Sequence, residues 1–428
     1  MIINNIIDNN DQFVVKNQDA AINFANNSSI SYTFWKNKNK MPQWYSLNAL
    51  DLLYISLSVF AADKLYIREN ATDSWSRDLE LYIPVLELEE WERVTSTLEK
   101  MVCFLSGDKW KFHFRKRKLT NIEESHFNKM QKTKMEIKEY DQVSMLSGGL
   151  DSFIGAIDIL ETNKECKTLF VAHYGGGKGV KNFQNILKGH LIEQYALEER
   201  DFHQYYAKII ASVEDTTRTR SFMFFSHAVA VASTLGKPVN LIIPENGLIS
   251  LNIPSTFSRL GTSSTRTTHP HYLKLFQQLL NELEIPVTFK NPYQFMTKGE
   301  MLIGCKNQEF MQNNVANTMS CSHPDYGRML KETEARHCGY CLPCVIRQAA
   351  IKRAGIRDDT SYRDSNFESG KTARMNLNSY KLGFEKFNPK YAFMTIQKSG
   401  SITENIEEYI RLYLRGMQEV KEYLEDIV

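Results

Sequence analysis

No run of about 18 uninterrupted apolar residues, the length a membrane span needs, occurs in this 428-residue sequence. The most apolar window, 222–235, is broken by Ser226, His227, Ser233 and Thr234 and is expected as a buried helix. An excess of one charge is missing too: 52 Lys plus Arg face 50 Asp plus Glu, a net of +2. Overall charge therefore gives no pull toward nucleic acid. The opening residues MIINNIIDNNDQFVVKN lack a basic segment followed by an apolar core, so no secretory signal and a cytoplasmic location are expected. Cysteine is sparse and odd in number, seven in all, yet four fall within residues 321–344. Such crowding without a signal peptide points to a metal site in a reducing compartment rather than to disulfides. What is present, 42% hydrophobic and 24% charged residues, is the balance of a folded globular chain. The length suggests about two or three domains.

Residues 1–140 are expected to form an α+β domain that offers a surface for docking a partner. Its first 30 residues, rich in Asn and Ser, are expected as a loosely attached arm. Helices are expected over 46–66 and 89–104, and strands over 79–86 and 110–115, the last from the alternation of Trp110, Phe112 and Phe114. Residues 101–140 carry ten basic and five acidic side chains, concentrated in Arg115-Lys116-Arg117-Lys118. This run fits a solvated strand edge better than a nucleic-acid patch, which stays the less favoured alternative. From Asp141 the pattern changes. Strands over 143–146, 168–173, 203–210 and 239–244 alternate with helices over 152–160, 181–197 and 221–235, predicting an α/β domain, 141–355, built on a parallel sheet. Such sheets bind ligands beyond the carboxyl ends of their strands. Residues 356–428 are expected as a helical extension ending in a helix over 403–426, whose Ile406, Tyr409, Ile410, Leu412, Tyr413 and Met417 share an apolar face.

The first of these strands runs into Ser147-Gly148-Gly149-Leu150-Asp151-Ser152. Glycines let backbone N–H groups close on an anion, and the following helix adds its positive N-terminus. The two serines supply hydroxyl donors. Asp151 beside a phosphate implies an intervening Mg²⁺, hence a metal-bound nucleotide such as ATP. Two other glycine-rich stretches, 175–179 and 365–372, fail as phosphate loops. The first has no Ser or Thr after Lys178, and the second has Ser365 where the first glycine belongs. Cys321, Cys338, Cys341 and Cys344 have the spacing of a four-thiolate tetrahedral site, suited to Zn²⁺. An iron–sulfur cluster uses the same ligand set.

The Ser147–Ser152 loop is the SGGxDS signature of PP-loop ATP pyrophosphatases. With the cysteine cluster following, the stretch 141–355 resembles the 7-cyano-7-deazaguanine synthase (QueC) family. The resemblance implies a PP-loop fold of the HUP, adenine nucleotide α-hydrolase-like kind, a Zn²⁺ knot, and adenylation of a carboxylate with ATP before amine attack. It assigns nucleotide binding to residues 147–152, His173, Tyr174 and Arg220, and a catalytic role to Ser147, Asp151, Ser152 and Lys298, the last within Thr297-Lys298-Gly299-Glu300. Arg347 follows the cysteines as an Arg does in that family.

Departures are equally plain. Gly176 stands where the family has Gln, and its Tyr-Pro-Asp-Cys-Arg substrate element is replaced by Pro244-Glu245-Asn246-Gly247 and Ser264-Thr265-Arg266-Thr267-Thr268-His269-Pro270. Glu245, Asn246, Arg266 and His269 are accordingly the expected substrate-binding residues. The flanking segments, with Leu-Ser-Gly-Asp-Lys-Trp at 105–110, make the layout similar to the QueC-like protein of the Qat anti-phage system. That similarity implies other Qat proteins as partners, one of which can itself be the substrate, beside a small deazaguanine-type molecule. A nucleotide-sensing subunit without catalysis and a tRNA-modifying adenylating enzyme are the rival readings.

Overall fold

A computed structural model describes residues 1–427 except 27, 37–40, 133–138, 176–177, 254–265 and 328–333. Gly176 and the Ser264-Thr265 part of the substituted element lie outside the described residues. The strands are β1 (Ile2–Ile6), β2 (Ala20–Asn23), β3 (Ile30–Tyr32), β4 (Asp78–Val85), β5 (Lys109–Lys116), β6 (Gln142–Met145), β7 (Thr168–Tyr174), β8 (Phe202–Ile209), β9 (Val239–Ile242) and β10 (Val287–Lys290). They form a four-stranded sheet in the order β2-β1-β4-β5 and a six-stranded sheet in the order β10-β9-β6-β7-β8-β3. All pairs are parallel except β3 against β8.

The expectation of a loose N-terminal arm is corrected here. β1 is an inner strand of the first sheet, paired to both β2 and β4. Ile3 is fully buried, and the buried Asn4 and Asn5 amides donate to Phe13 O (3.0 Å) and Tyr82 O (3.2 Å). Asparagines usually mark turns. Here they sit in a strand with their amide N–H groups satisfied by backbone carbonyls, while neither Oδ1 has a partner among the described residues. A few residues on, β3 leaves this region and becomes the edge of the second sheet, with Ile30 opposite Ile209.

Helix α1 (Leu47–Leu65) starts at Ser46, whose Oγ accepts from Ala49 N at 3.2 Å. It is buried without a break from Ala49 to Asp63, which explains its poor periodicity: covered on every side, it needs no polar face. α1 packs on α6 (Arg220–Ser233), and α2 (Leu88–Ser106) packs on the helix Pro270–Glu282. One apolar core therefore runs from Ile3 through Leu57 and Val143 to Val287.

β6 is flanked by β7 on one side and β9 on the other. The loop between β6 and α4 (Leu150–Thr162) thus sits where strand order reverses, the place an open parallel sheet reserves for ligands. Towards the C-terminus, the helix Leu342–Arg353 packs on both Lys298–Gly304 and Ile406–Glu425. Among the described residues no helix is long and apolar enough to cross a membrane.

Candidate active site and metal centre

The loop is wound by its own hydroxyls. Ser152 Oγ accepts from Ser147 N at 3.1 Å, donates to Gly149 O at 2.9 Å, and lies 3.0 Å from Ser147 Oγ. Gly148 has φ +88°, a left-handed conformation that favours glycine, and a Cβ there would meet Gln184 Cγ at 2.9 Å. Gln184, on α5 (Lys178–Tyr195), donates to Ser147 O (2.9 Å) and His173 O (3.0 Å), tying the loop to β7. No side chain caps Gly149 at the start of α4. The helix terminus borders the cavity, where an anion can meet it, and Ser320 Oγ accepts from Leu150 N at 3.4 Å.

Asp151 is buried, and both of its oxygens are engaged. Lys298 Nζ lies 2.8 Å from Oδ1, while Oδ2 accepts from Asn246 N (3.2 Å) and Nδ2 (2.7 Å). Burial opposes its ionisation, but the Lys298 ammonium and these hydrogen bonds outweigh that and hold the carboxyl below its ordinary value. Glu245, half-buried, is hydrogen-bonded to Asp151. Burial first, and the neighbouring carboxylate second, push it well above the usual range. Glu245 thus holds its proton more tightly than a free carboxyl does, beside a carboxylate paired with a lysine. Asp151, the residue expected to meet Mg²⁺, lines the cavity and pairs with Lys298 there. Lys298 owes its place to a helix start built by a capping box, in which Thr297 Oγ1 accepts from Glu300 N (3.1 Å) and Glu300 Oε2 from Thr297 N (2.9 Å).

A cavity of about 1270 Å³ opens in front of the loop, above the roughly 300–1,000 Å³ typical of small-ligand pockets. Its floor is Ser147, Asp151, Ser152, Glu245 and Lys298, and Arg220 stands on the wall. Arg220 has no side-chain hydrogen-bond or ion-pair partner among the described residues, and burial lowers its affinity for its proton. A half-buried guanidinium without an anion is a ready place for one.

The wall is anchored from the N-terminal sheet. Asp63 Oδ2, at the end of α1, accepts from Thr219 Oγ1 (2.9 Å) and Thr216 Oγ1 (3.2 Å), immediately before Arg220. Its other oxygen pairs with Arg77 and lies 3.5 Å from Arg68 Nη2. Both arginines also bind Asp108, each through an Nη2–Oδ2 contact of 2.7 Å. This quartet is almost fully buried. Nothing in sequence spacing announces it, since its members are spread from α1 through the turn after it and the entry to β4 to the turn before β5.

Other candidate residues lie elsewhere. His173, at the end of β7, is buried against Phe224 and His227. Neither ring nitrogen has a partner among the described residues, and burial, then Arg220, lower its affinity for a proton. Tyr174 packs on Tyr206, with Lys181 Nζ 5.0 Å from its ring. Neither residue lines the cavity. Asn246 faces Asp151 and caps α7 (Gly247–Ser250), its Oδ1 accepting from Ile249 N at 3.0 Å. Arg266 donates to Phe104 O and stacks on that ring, its guanidinium carbon 4.4 Å from the centroid. His269 is the N-cap of Pro270–Glu282. Its Nδ1 accepts from His271 N (3.1 Å), and its Nε2 meets Ser399 Oγ (3.2 Å). Both hold the chain together instead of facing the cavity. The basic run is likewise used internally. Arg115 bonds Asn5 O (2.7 Å) and Asp11, Lys116 bonds Leu86 O, and the buried Arg117 pairs with Glu123 at 2.7 Å.

The four clustered cysteine sulfurs lie within 4.8 Å of one another. The pairs Cys321–Cys341 and Cys338–Cys344 are each 3.9 Å apart, close to the roughly 3.8 Å edge of a tetrahedron with 2.3 Å zinc–sulfur bonds. Backbone N–H groups of Cys338 and His323 point at Cys321 Sγ, and that of Cys341 at Cys338 Sγ, each at 3.3 Å, which suits thiolate charge. Gly339, with φ +90°, is forced: a Cβ there would stand 1.9 Å from Asp364 O. The donor set fits zinc. Cys321 and Cys341 border the cavity, and Tyr380 OH donates to Tyr340 O at 3.1 Å, joining the knot to the C-terminal helices. Arg347 is buried among Thr318 Oγ1, Val315 O and Thr360 Oγ1 and braces the segment beneath.

Residues 262–355, which hold Lys298 and the four cysteines, match the family described as "QueC: Queuosine biosynthesis protein QueC". A 7-cyano-7-deazaguanine synthase of Rickettsia prowazekii (strain Madrid E) is 23% identical over 249 residues, 51% of this chain and 98% of that protein. The same enzyme of Rickettsia akari (strain Hartford) is 24% identical over 247 residues, again 51% of this chain and 98% of the relative. Residues 262–355 are thus similar to the QueC family, and about half of the chain is weakly similar to 7-cyano-7-deazaguanine synthases.

Proposed function

We propose that this protein is an ATP-dependent enzyme that adenylates a 7-carboxy-7-deazaguanine-type carboxylate for attack by an amine. The observation that carries the reading is the juxtaposition of the Ser147–Ser152 loop, the Lys298–Asp151 pair at 2.8 Å and the unpartnered Arg220 around one cavity. A carboxylate resists amines because oxide is a poor leaving group. In the proposed first step its oxygen attacks the α-phosphorus of ATP, the α–β phosphoanhydride bond breaks, and pyrophosphate departs. The loop N–H groups and the hydroxyls of Ser147 and Ser152 hold the departing charge, which Lys298 and Arg220 neutralise. Mg²⁺ enters on the nucleotide, as part of the substrate. Glu245, which lines the cavity beside Asp151, offers a carboxyl oxygen to accept from an N–H edge of the deazaguanine. In the second step the amine attacks the acyl carbon, a C–N bond forms, AMP leaves, and the amine gives up a proton.

Zinc on Cys321, Cys338, Cys341 and Cys344 would supply a structural crosslink beside the cavity. In our reading this chemistry serves anti-phage defence, which the similarity in layout to the QueC-like protein of the Qat system supports. There another protein of the system is the binding partner and carries the acceptor amine. The cavity, larger than a nucleotide and a small base require, supports that reading. ATP–pyrophosphate exchange with 7-carboxy-7-deazaguanine tests the activation. Exchange that requires the acid is expected, and none with any deazaguanine carboxylate would contradict it. Mass spectrometry of a co-expressed partner tests the acceptor, with an added mass expected only when the loop is intact.

A further inference from the structure

The N-terminal basic run is consumed by internal bonds, so the surface that meets a partner has to be sought elsewhere. Residues 371–398 contain Lys371, Arg374, Lys381, Lys386, Lys390 and Lys398 against a single acid, Glu385. None of the first five makes an ion pair among the described residues, although the molecule pairs many other surface charges. The same stretch holds Met375, Leu382, Tyr391, Phe393 and Met394, all exposed, with Met375 at 58%, Tyr391 at 60% and Met394 at 58%. Elsewhere large exposed apolar side chains are scattered along the chain. On the helix Lys371–Glu385, Lys371, Arg374, Met375 and Leu382 fall on one face by helical spacing. Leu382, Lys386 and Tyr391 also border the cavity. The patch is therefore continuous with the mouth of the site.

We propose that this basic and apolar face of residues 371–398 is the docking surface for an acidic protein segment bearing apolar side chains, which it delivers to the cavity. Charge excess of this density selects an acidic partner and speeds its encounter. Methionines and aromatics side by side are the composition of a protein-binding patch. Nucleic acid is disfavoured because five of the six cations are Lys rather than the bidentate Arg, and three of the five apolar groups cannot stack on a base. The inference deepens the partner-modification reading. Its test needs no turnover, so a failure of the adenylation chemistry would leave it standing.

The test measures binding of the full-length protein to a labelled glutamate–tyrosine copolymer and to a single-stranded oligonucleotide of similar length. Two variants are compared, Lys371→Glu/Arg374→Glu/Lys381→Glu and Phe393→Ser/Met394→Ser, none of whose positions lines the cavity. The copolymer is expected to bind the parent protein and to lose at least about tenfold in affinity to each variant, while ATP binding is unchanged. No copolymer binding by the parent, or equal binding by both variants, would overturn the proposal. Tighter binding of the oligonucleotide, lost in the charge-reversed variant, would overturn it in favour of a nucleic-acid surface.

Discussion

Lys298 and Asp151 lie far apart in sequence but 2.8 Å apart in space, and both are buried. Removing the carboxylate strands an ammonium in the interior. Asp151→Ala is therefore expected to lose about 3–5 kcal/mol of stability as well as pyrophosphate release, whereas Asp151→Asn keeps the shape and a polar contact and should cost less. Chemical denaturation of the two variants checks the order. The carboxyl pair also fixes a pH signature. Asp151 is held below its ordinary value, so its contribution is full above the unfolded carboxylate range and is lost as pH falls through the folded value. Glu245 is raised and works in the opposite direction. Its contribution is full below an unfolded value of about 4.3 and erodes as pH rises from there towards the folded value. Glu245→Gln removes that erosion. Its melting temperature relative to the parent should rise as pH increases above the unfolded value of about 4.3, and a difference independent of pH would contradict the assignment. The loop itself was legible from residues alone, because the chemistry of Ser-Gly-Gly-x-Asp-Ser is local. The pairing of Asp151 with Lys298, Asn246 and Glu245 was not, since it depends on chain ends of β6, β9 and a capped helix meeting in space.

At the scale of elements, the site's walls have two candidate crosslinks, the cysteine cluster once it holds zinc and a buried ion-pair quartet. The cysteine knot lies between the cavity and the helix Leu342–Arg353, whose N-cap is Cys341. Metal binding of this kind contributes roughly 10–16 kcal/mol to the folding of its segment. Elemental analysis should return about one zinc per chain and little iron. Cys344→Ser, at a fully buried ligand, should lose the metal and much of the soluble yield. The second crosslink is the Asp63–Arg68–Arg77–Asp108 quartet. Asp63→Asn leaves two buried guanidinium groups short of an anion and loosens Thr216 and Thr219. We expect a loss of about 3–5 kcal/mol together with weaker ATP binding through the displaced Arg220. A variant of unchanged stability and affinity would show that the wall is held by other contacts. Cysteine spacing disclosed the first crosslink. The second was hidden because Asp and Arg are ordinarily surface residues, and only the fold reveals four of them buried together.

At the scale of the molecule, the alternation of strands and helices after Asp141 was readable because a parallel sheet imposes it. The strand β3, of three residues, carries too few side chains to register in sequence. The burial of β1 was masked by its asparagines. The relation between regions was least visible: all three line one cavity, with Arg68 and Trp75 from the first 140 residues, Ser147 and Lys298 from the middle, and Tyr391 from the last. That shared cavity is why the added segments bear on the chemistry and not on stability alone. The central claim is that ATP is cut between its α- and β-phosphates to activate a carboxylate. The most direct measurement is the identity of the nucleotide product formed by purified protein with MgATP, 7-carboxy-7-deazaguanine and an amine. AMP and pyrophosphate in equal amounts, dependent on the acid and absent in Asp151→Ala, is the predicted result. ADP and phosphate without AMP, or AMP release undiminished in that variant, would contradict it.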